Sequence, residues 1–256
     1  MVHLQAFVGA RDTLATARAR GNPCLVARLS QAPTSLPGTA SATQCLTWPL
    51  ASRSAAVACF TAGAHRIQCC GHGLLSCAHL WLTDWDGQGT LFNGEAALPC
   101  EFRADRTWVG LPQLRTRPCE VPVWASAVLG CAVSGSAVAG ADDGYLVLEV
   151  ADTVSLQAVL PPTESLARHT ARALIVTCQG SGEDIHYRYF APQYGVPEDS
   201  ATGSALRVLA PYWQHRGLPN CLAARQDSQA GGLLFSELRD GRCWIGGRIE
   251  EQPRAA

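Results

Sequence analysis

The sequence predicts an α+β fold of two pseudo-repeated units with a cleft between them, and three observations carry that reading. First, a dozen residues register without a gap when Gly71 is set on Gly203: His72 falls on Ser204, Leu74 on Leu206, Ala78 on Ala210 and Trp81 on Trp213. Second, each half delivers strand-like runs, a glycine turn and then a helix of small and apolar residues, the layout of a duplicated unit. Third, 256 residues with 47% apolar and 16% charged content suffice to bury a substantial core as one large or two smaller domains. The division is expected near residue 115, giving units 1–115 and 116–256, and the last strand can return to the first unit.

The elements follow in order. Val2 to Val8 alternates loosely and stops at Gly9, predicting an opening strand. Gly21-Asn22-Pro23 is a turn before a short buried strand at Cys24–Ala27. Thr43–Trp48 and Ala55–Phe60 read as strands, and Cys70-Gly71-His72-Gly73 breaks the pattern ahead of a helical run, Leu74–Trp81. In the second half Leu146–Val150, Ala173–Cys178 and Ile185–Phe190 read as strands. A turn-rich loop from Pro197 to Ser204 then leads into a helical run, Ala205–Trp213, and strands close the chain near Leu233–Leu238 and Cys243–Ile249.

Composition excludes several functions. The net charge is −1 and no basic stripe runs along any segment, so neither nucleic acid nor an anionic membrane is an expected partner. All basic residues are arginine, and without lysine no Schiff base can form on the chain. The twelve cysteines do not form paired Cys-x-x-Cys knuckles, and no His/carboxylate cluster has ligand spacing, so no metal is expected. Cys24, Cys59, Cys131 and Cys178 lie in apolar or small-residue runs and read as small core hydrophobes. The N-terminus has no apolar leader stretch, and a reduced, cytoplasmic protein is expected.

A glycine turn entering a helix leaves the first N–H groups without intrahelical partners, and with the positive end of the dipole they form a site for a carboxylate. Two such ends facing across a cleft, at Gly71–Gly73 and Thr202–Ala205, could hold one carboxylated substrate and stabilise charge at its α-carbon. Each loop alone reads as an ordinary helix cap, with Ser204 and Thr202 satisfying N–H groups. The pairing of His72 in one with Asp199 in the other favours chemistry.

The run Arg188-Tyr189-Phe190-Ala191-Pro192, a short spacer, and Glu198-Asp199-Ser200-Ala201-Thr202-Gly203-Ser204-Ala205 closely resembles the signature of the PhzF-like family, RYFAP followed by EDPATGSA. Gly21-Asn22-Pro23, Phe60-Thr61 with Cys70-Gly71-His72, and the glycine-rich stretch from Ser228 to Gly246 resemble further family segments in the same order. The resemblance implies a diaminopimelate-epimerase-like fold of two domains, each a sheet wrapped around a central helix, with the active site between them. It also implies a homodimer, a small-molecule carboxylate substrate, and a cofactor-independent isomerase with neither metal nor organic cofactor. His72 would then be a proton relay or substrate-binding group, Asp199 its acidic partner, and Ser204 a carboxylate contact.

The sequence departs from the family at one point. The family's general acid/base glutamate follows the early turn in an SET-like strand, whereas Ser41-Ala42-Thr43-Gln44-Cys45-Leu46 offers Ala42 or Gln44 there. No Asp or Glu lies between Asp12 and Asp84, and neither alanine nor glutamine shuttles a proton at neutral pH. Three explanations stay open. Cys70 could be the base, its thiol lowered in pKa beside His72 at a helix N-terminus, since Cys-Gly-His-Gly also resembles the thiol loop of proline racemases and related epimerases. His72 and Asp199 could move the proton themselves. Or the chain could be a catalytically silent binding protein for a carboxylated metabolite. Cys45, beside Gln44, is a further candidate base, and Ser200 stands where the later loop of the racemases carries a second cysteine. Substrate contacts are therefore expected from Gly71, Gly73, Gln44, Ser200, Thr202, Gly203, Ser204 and Ala205. Arg188 would pair with a second substrate carboxylate or a nearby acid. Tyr194 could line the pocket, whereas Tyr189, Trp213, Trp81, Trp85 and Trp108 read as packing residues.

Overall fold

The computed structural model describes residues 1–9, 19–162 and 164–253; Asp12, one bound of the acid-free stretch, lies outside them. The first half contains β1 (Val2–Val8), β2 (Asn22–Arg28), β3 (Thr43–Ala51), β4 (Ser54–Phe60), β5 (Arg66–Ile67) and α1 (Gly71–Leu82), then β6 (Gln88–Asn93), β7 (Ala96–Arg103) and β8 (Arg106–Pro112). After β9 (Thr116–Pro118) and α2 (Ala125–Leu129) come β10 (Gly135–Ala139), β11 (Tyr145–Glu149), α3 (Thr153–Ala158), α4 (Glu164–His169), β12 (Ala173–Gln179) and β13 (Ile185–Phe190). The chain ends with α5 (Leu206–Gln214), β14 (Cys221–Gln226), β15 (Gly232–Arg239) and β16 (Arg242–Glu251).

One hydrogen-bonded path joins the strands, in the order β1-β2-β3-β4-β6-β7-β8-β16-β15-β14-β13-β12-β11-β10-β9. An additional pairing of β1 with β16 closes β1, β2, β3, β4, β6, β7, β8 and β16 into a ring. Helix α1 packs against every strand of that ring. It can lie in such a place because Leu74, Leu75, Ser76, Cys77 and Ala78 are all buried, so it has no solvent face over that stretch. The wrapped-helix picture fits the first half closely and the second more loosely: there the strong strand contacts of α5 are with β9, β15 and β16.

The duplication is written in the pairing. From β1 to β8 the neighbours run antiparallel, parallel, antiparallel, parallel, antiparallel, antiparallel. From β10 to β16 the same series repeats. A hydrogen-bond relay repeats as well. Trp81 Nε1 donates to Thr47 Oγ1 (2.8 Å), which donates to Ala56 O (2.8 Å). In the second half Trp213 Nε1 donates to Thr177 Oγ1 (3.1 Å), which donates to His186 O (2.8 Å). Each buried indole thus finds the partner its N–H requires, and Trp81 matches Trp213 as the sequence register predicts.

Two details differ from the sequence reading. Helix α1 starts at Gly71, a turn before the apolar run, while α5 is preceded by a 3-10 turn at Gly203–Ala205. Cys24, Cys59 and Cys178 are fully buried, but Cys131 is only half-buried, being next to the glycine that ends α2. Helix α5 also tolerates Pro211, which cannot donate to the carbonyl four residues back. That carbonyl, Arg207 O, accepts instead from Leu114 N (3.0 Å), so the linker between the halves is tied to α5.

Candidate active site

The N-termini of α1 and of the turn leading to α5 abut one another. A Cβ on Gly71 would lie 2.5 Å from Ser204 N and 2.8 Å from Gly203 Cα, so only glycine permits this approach. The first helical bond of α1 runs from Leu74 N to Cys70 O (2.8 Å), which leaves the N–H groups of Gly71, His72 and Gly73 ahead of the ladder. Phe7 lies beneath this junction. A bulge between Ala6 and Val8 interrupts the β1–β16 register, Phe7 takes φ +66°, and its ring fills the space where a Gly203 Cβ would sit. The bulge re-aims a side chain next to the site.

His72 is buried at the junction, with Nδ1 3.7 Å and Nε2 3.8 Å from Cys70 Sγ. Burial pushes its pKa down, but Cys70 and the charge of Asp199 push it up, and the net direction is upward. Asp199 is held by both halves. Its Oδ1 accepts from Asn22 Nδ2 (2.8 Å) and Ser200 N (2.9 Å), and its Oδ2 accepts from Thr202 Oγ1 (2.5 Å). Asn22 Nδ2 also donates to Ala201 O (2.9 Å). The Gly-Asn-Pro turn is therefore a clamp: its asparagine fixes a loop 177 residues away.

Gln226, fully buried at the end of β14, completes the clamp by accepting from Thr202 N (2.6 Å) and donating to Asp199 O (2.5 Å). Tyr187 donates to Thr202 O (3.1 Å). Gln226 was not legible in the sequence, where nothing marks its strand, whereas Asn22 was visible as a turn but not as a ligand-loop clamp. Ser204 and Ala205 are buried at the junction, and the ring of Tyr145 is 6.5 Å from that of Tyr189. Ser200 O accepts from Ser228 Oγ (2.6 Å).

Other expected residues stand elsewhere. Gln44 is buried, but its Nε2 donates to Gly38 O (2.6 Å), and strand alternation puts it on the face of β3 opposite Cys45. Cys45, on the other face, packs with Cys24 and Cys59 in the core, and its sulfur lies within 4.8 Å of Cys70 Sγ beneath the junction. Arg188 takes the nearby-acid alternative, pairing with Glu198 through Nε (2.7 Å) and Nη2 (3.0 Å). Tyr194 is half exposed and donates to Asp143 O and Ala171 O. The lowered thiol expected at Cys70 is corrected: contact with Cys45 lowers its pKa, but contact with Cys59 and burial raise it, and the net direction is upward.

Known proteins place the chain. The family model of phenazine biosynthesis-like proteins matches residues 125–234. An uncharacterized isomerase of Pseudomonas aeruginosa is 33% identical over 181 residues, 70% of this chain and 68% of that one. The chain belongs to the phenazine biosynthesis-like family. An uncharacterized isomerase of Vibrio cholerae is 36% identical over 178 residues, covering 67% of this chain and 60% of that relative's length. Among solved structures, a PhzF-family protein of Enterococcus faecalis superposes with TM-score 0.81 at 22% identity, covering 98% and 97% of the two chains. A hydroxyproline epimerase of Agrobacterium vitis with bound trans-4-hydroxy-L-proline superposes with TM-score 0.61 at 12% identity, covering 98% and 91%. The fold is thus the one shared by phenazine biosynthesis-like proteins and epimerases.

Proposed function

We propose that this member of the family is a cofactor-independent isomerase that moves a proton at or near the α-carbon of a small carboxylic acid, and that His72 carries the proton. The observation that supports it is the meeting of two helix N-termini around a buried histidine whose pKa is drawn up by Asp199 and Cys70. Several of the relatives are named isomerases or epimerases, which agrees with this class of reaction. The N–H groups of Gly71, His72 and Gly73 would bind the substrate carboxylate and stabilise the charge that develops as the α-proton leaves. His72 would take that proton as a neutral imidazole and return it from the imidazolium. Asp199 holds the histidine's charge, and its own lone pairs are committed to Asn22, Ser200 and Thr202. With no lysine available for a Schiff base, the carbanion is stabilised by these fixed dipoles. Two units divided near residue 115, paired as a homodimer in the cytoplasm, complete the reading.

Incubation in deuterated water with a panel of amino acids and β,γ-unsaturated acids, read by mass spectrometry, tests it. Substrate-dependent deuterium incorporation is expected, falling about 10²–10⁴-fold in His72→Ala and less in Cys70→Ser. The reverse order would assign the base to the thiol. No exchange together with tight binding of a panel member would show a binding protein on the inherited scaffold.

A further inference from the structure

The cysteines that look scattered in sequence converge in space. Cys45 on β3, Cys59 on β4 and Cys70 at the N-cap of α1 bring three sulfur atoms within 4.8 Å of one another, all three side chains being buried. Their meeting point is the face of Gly73: a Cβ there would lie 2.4 Å from Cys45 Sγ, 2.9 Å from Cys70 Sγ and 3.0 Å from Cys59 Sγ. Cys24 Sγ is 3.6 Å from Cys45 Sγ, and Cys77 also contacts Cys45, so two more thiols surround the set. Apolar packing alone does not call for three thiols at one point.

We propose that Cys45, Cys59 and Cys70 form a three-thiolate site for a thiophilic d10 cation such as Zn2+. The proposal goes beyond the isomerase reading and does not rest on it. Zinc–sulfur bonds of about 2.3 Å in a tetrahedron put the sulfurs about 3.8 Å apart. The three sulfurs lie within 4.8 Å of one another, and Cys45 and Cys59, now 2.8 Å apart, would open by about 1 Å on binding.

Charge argues the same way. Binding releases three thiol protons and leaves a complex of net charge −1, far less than three thiolates alone would carry in a buried place. The Cys24 thiol, next to Cys45, can donate to the bound thiolate and steady it. Cys70 lies at the helix junction beside His72, so a filled site would withdraw the thiol from its contact with the histidine.

The experiment is an anaerobic titration of the reduced full-length chain with Cd2+, whose thiolate charge-transfer absorption reports the bond directly. Zn2+ affinity is then read by competition with a chromophoric chelator. The background carries Cys119→Ser and Cys221→Ser, which removes the exposed thiols. One tight equivalent is expected, lost in Cys45→Ala/Cys59→Ala and kept in Cys178→Ala, a buried cysteine of the other half. An undiminished band in the double variant would overturn the site. Should the double variant not fold, alkylation mapping of the wild-type chain decides. Zn2+ must shield Cys45, Cys59 and Cys70 from alkylation more than it shields Cys243, and equal labelling with and without Zn2+ refutes the proposal.

Discussion

His72 shows how a single titratable group is tuned by opposed effects. Burial favours its neutral form, while Cys70 and the carboxylate of Asp199 favour the charged one, and the latter prevail. A base must be neutral to accept a proton, so its activity appears only as pH rises through its pKa. The acidic limb of the pH–rate profile is therefore expected above the ordinary histidine value of about 6.5. In Asp199→Asn one upward influence is removed, and the limb is expected to move to lower pH. The Asn22, Thr202 and Gln226 contacts can persist in part, which separates the electrostatic effect from collapse of the loop. A limb unmoved in Asp199→Asn, with folding intact by circular dichroism, would remove Asp199 from the proton-transfer account. Against the lowering contact with Cys45, Cys59 and burial hold Cys70 on the thiol side, which makes it a contact of the histidine before it is a base.

At the scale of elements, two helix starts touch through glycine. Gly71→Ala would press a methyl group onto the backbone of Gly203 and Ser204, neither of which can rotate away as a side chain could. Destabilisation of about 1–3 kcal/mol is expected from such overpacking, read by urea denaturation, with a larger loss of exchange activity because the two N-termini are forced apart. Gly38→Ala is the control, since its Cβ would meet nothing within 4 Å. A Gly71→Ala protein as stable as its parent would mean the halves yield freely at the junction. The register of Gly71 with Gly203 was legible because both loops keep small residues before a buried helix, and the strands around them were legible from apolar runs bounded by turns. Strands β6, β7 and β8 were not read: Pro99 interrupts β7 and Gly110 interrupts β8, and the three are held by neighbours rather than by their own pattern. The thiol cluster was equally hidden. Cys45, Cys59 and Cys70 are separated by ten or more residues, and only the β3–β4 register, which sets Cys45 opposite Cys59, brings two of them together.

For the whole molecule, the last strand carries the architecture. β16 pairs with β15 of the second half, and with β8 and β1 of the first, so the first ring closes only when the chain's final segment arrives. Its contacts are far apart in sequence, and such closure is slow and cooperative. Residues 1–115 alone would leave β1 and β8 as two unpaired edges beside an apolar helix, an invitation to aggregate. The register suggests the remedy, since Arg242 lies opposite Pro112 in an antiparallel pair. A two-residue Asn-Gly turn, which matches the twist of a hairpin, can join Pro112 directly to Arg242 and restore the missing strand. The fragment 1–115 is expected to be insoluble or molten, whereas the joined chain 1–112 plus 242–253 should be soluble, with a cooperative thermal transition and the buried Trp81 signal. A fragment 1–115 as soluble and as cooperative as the joined chain would show that the first half does not need β16 to fold.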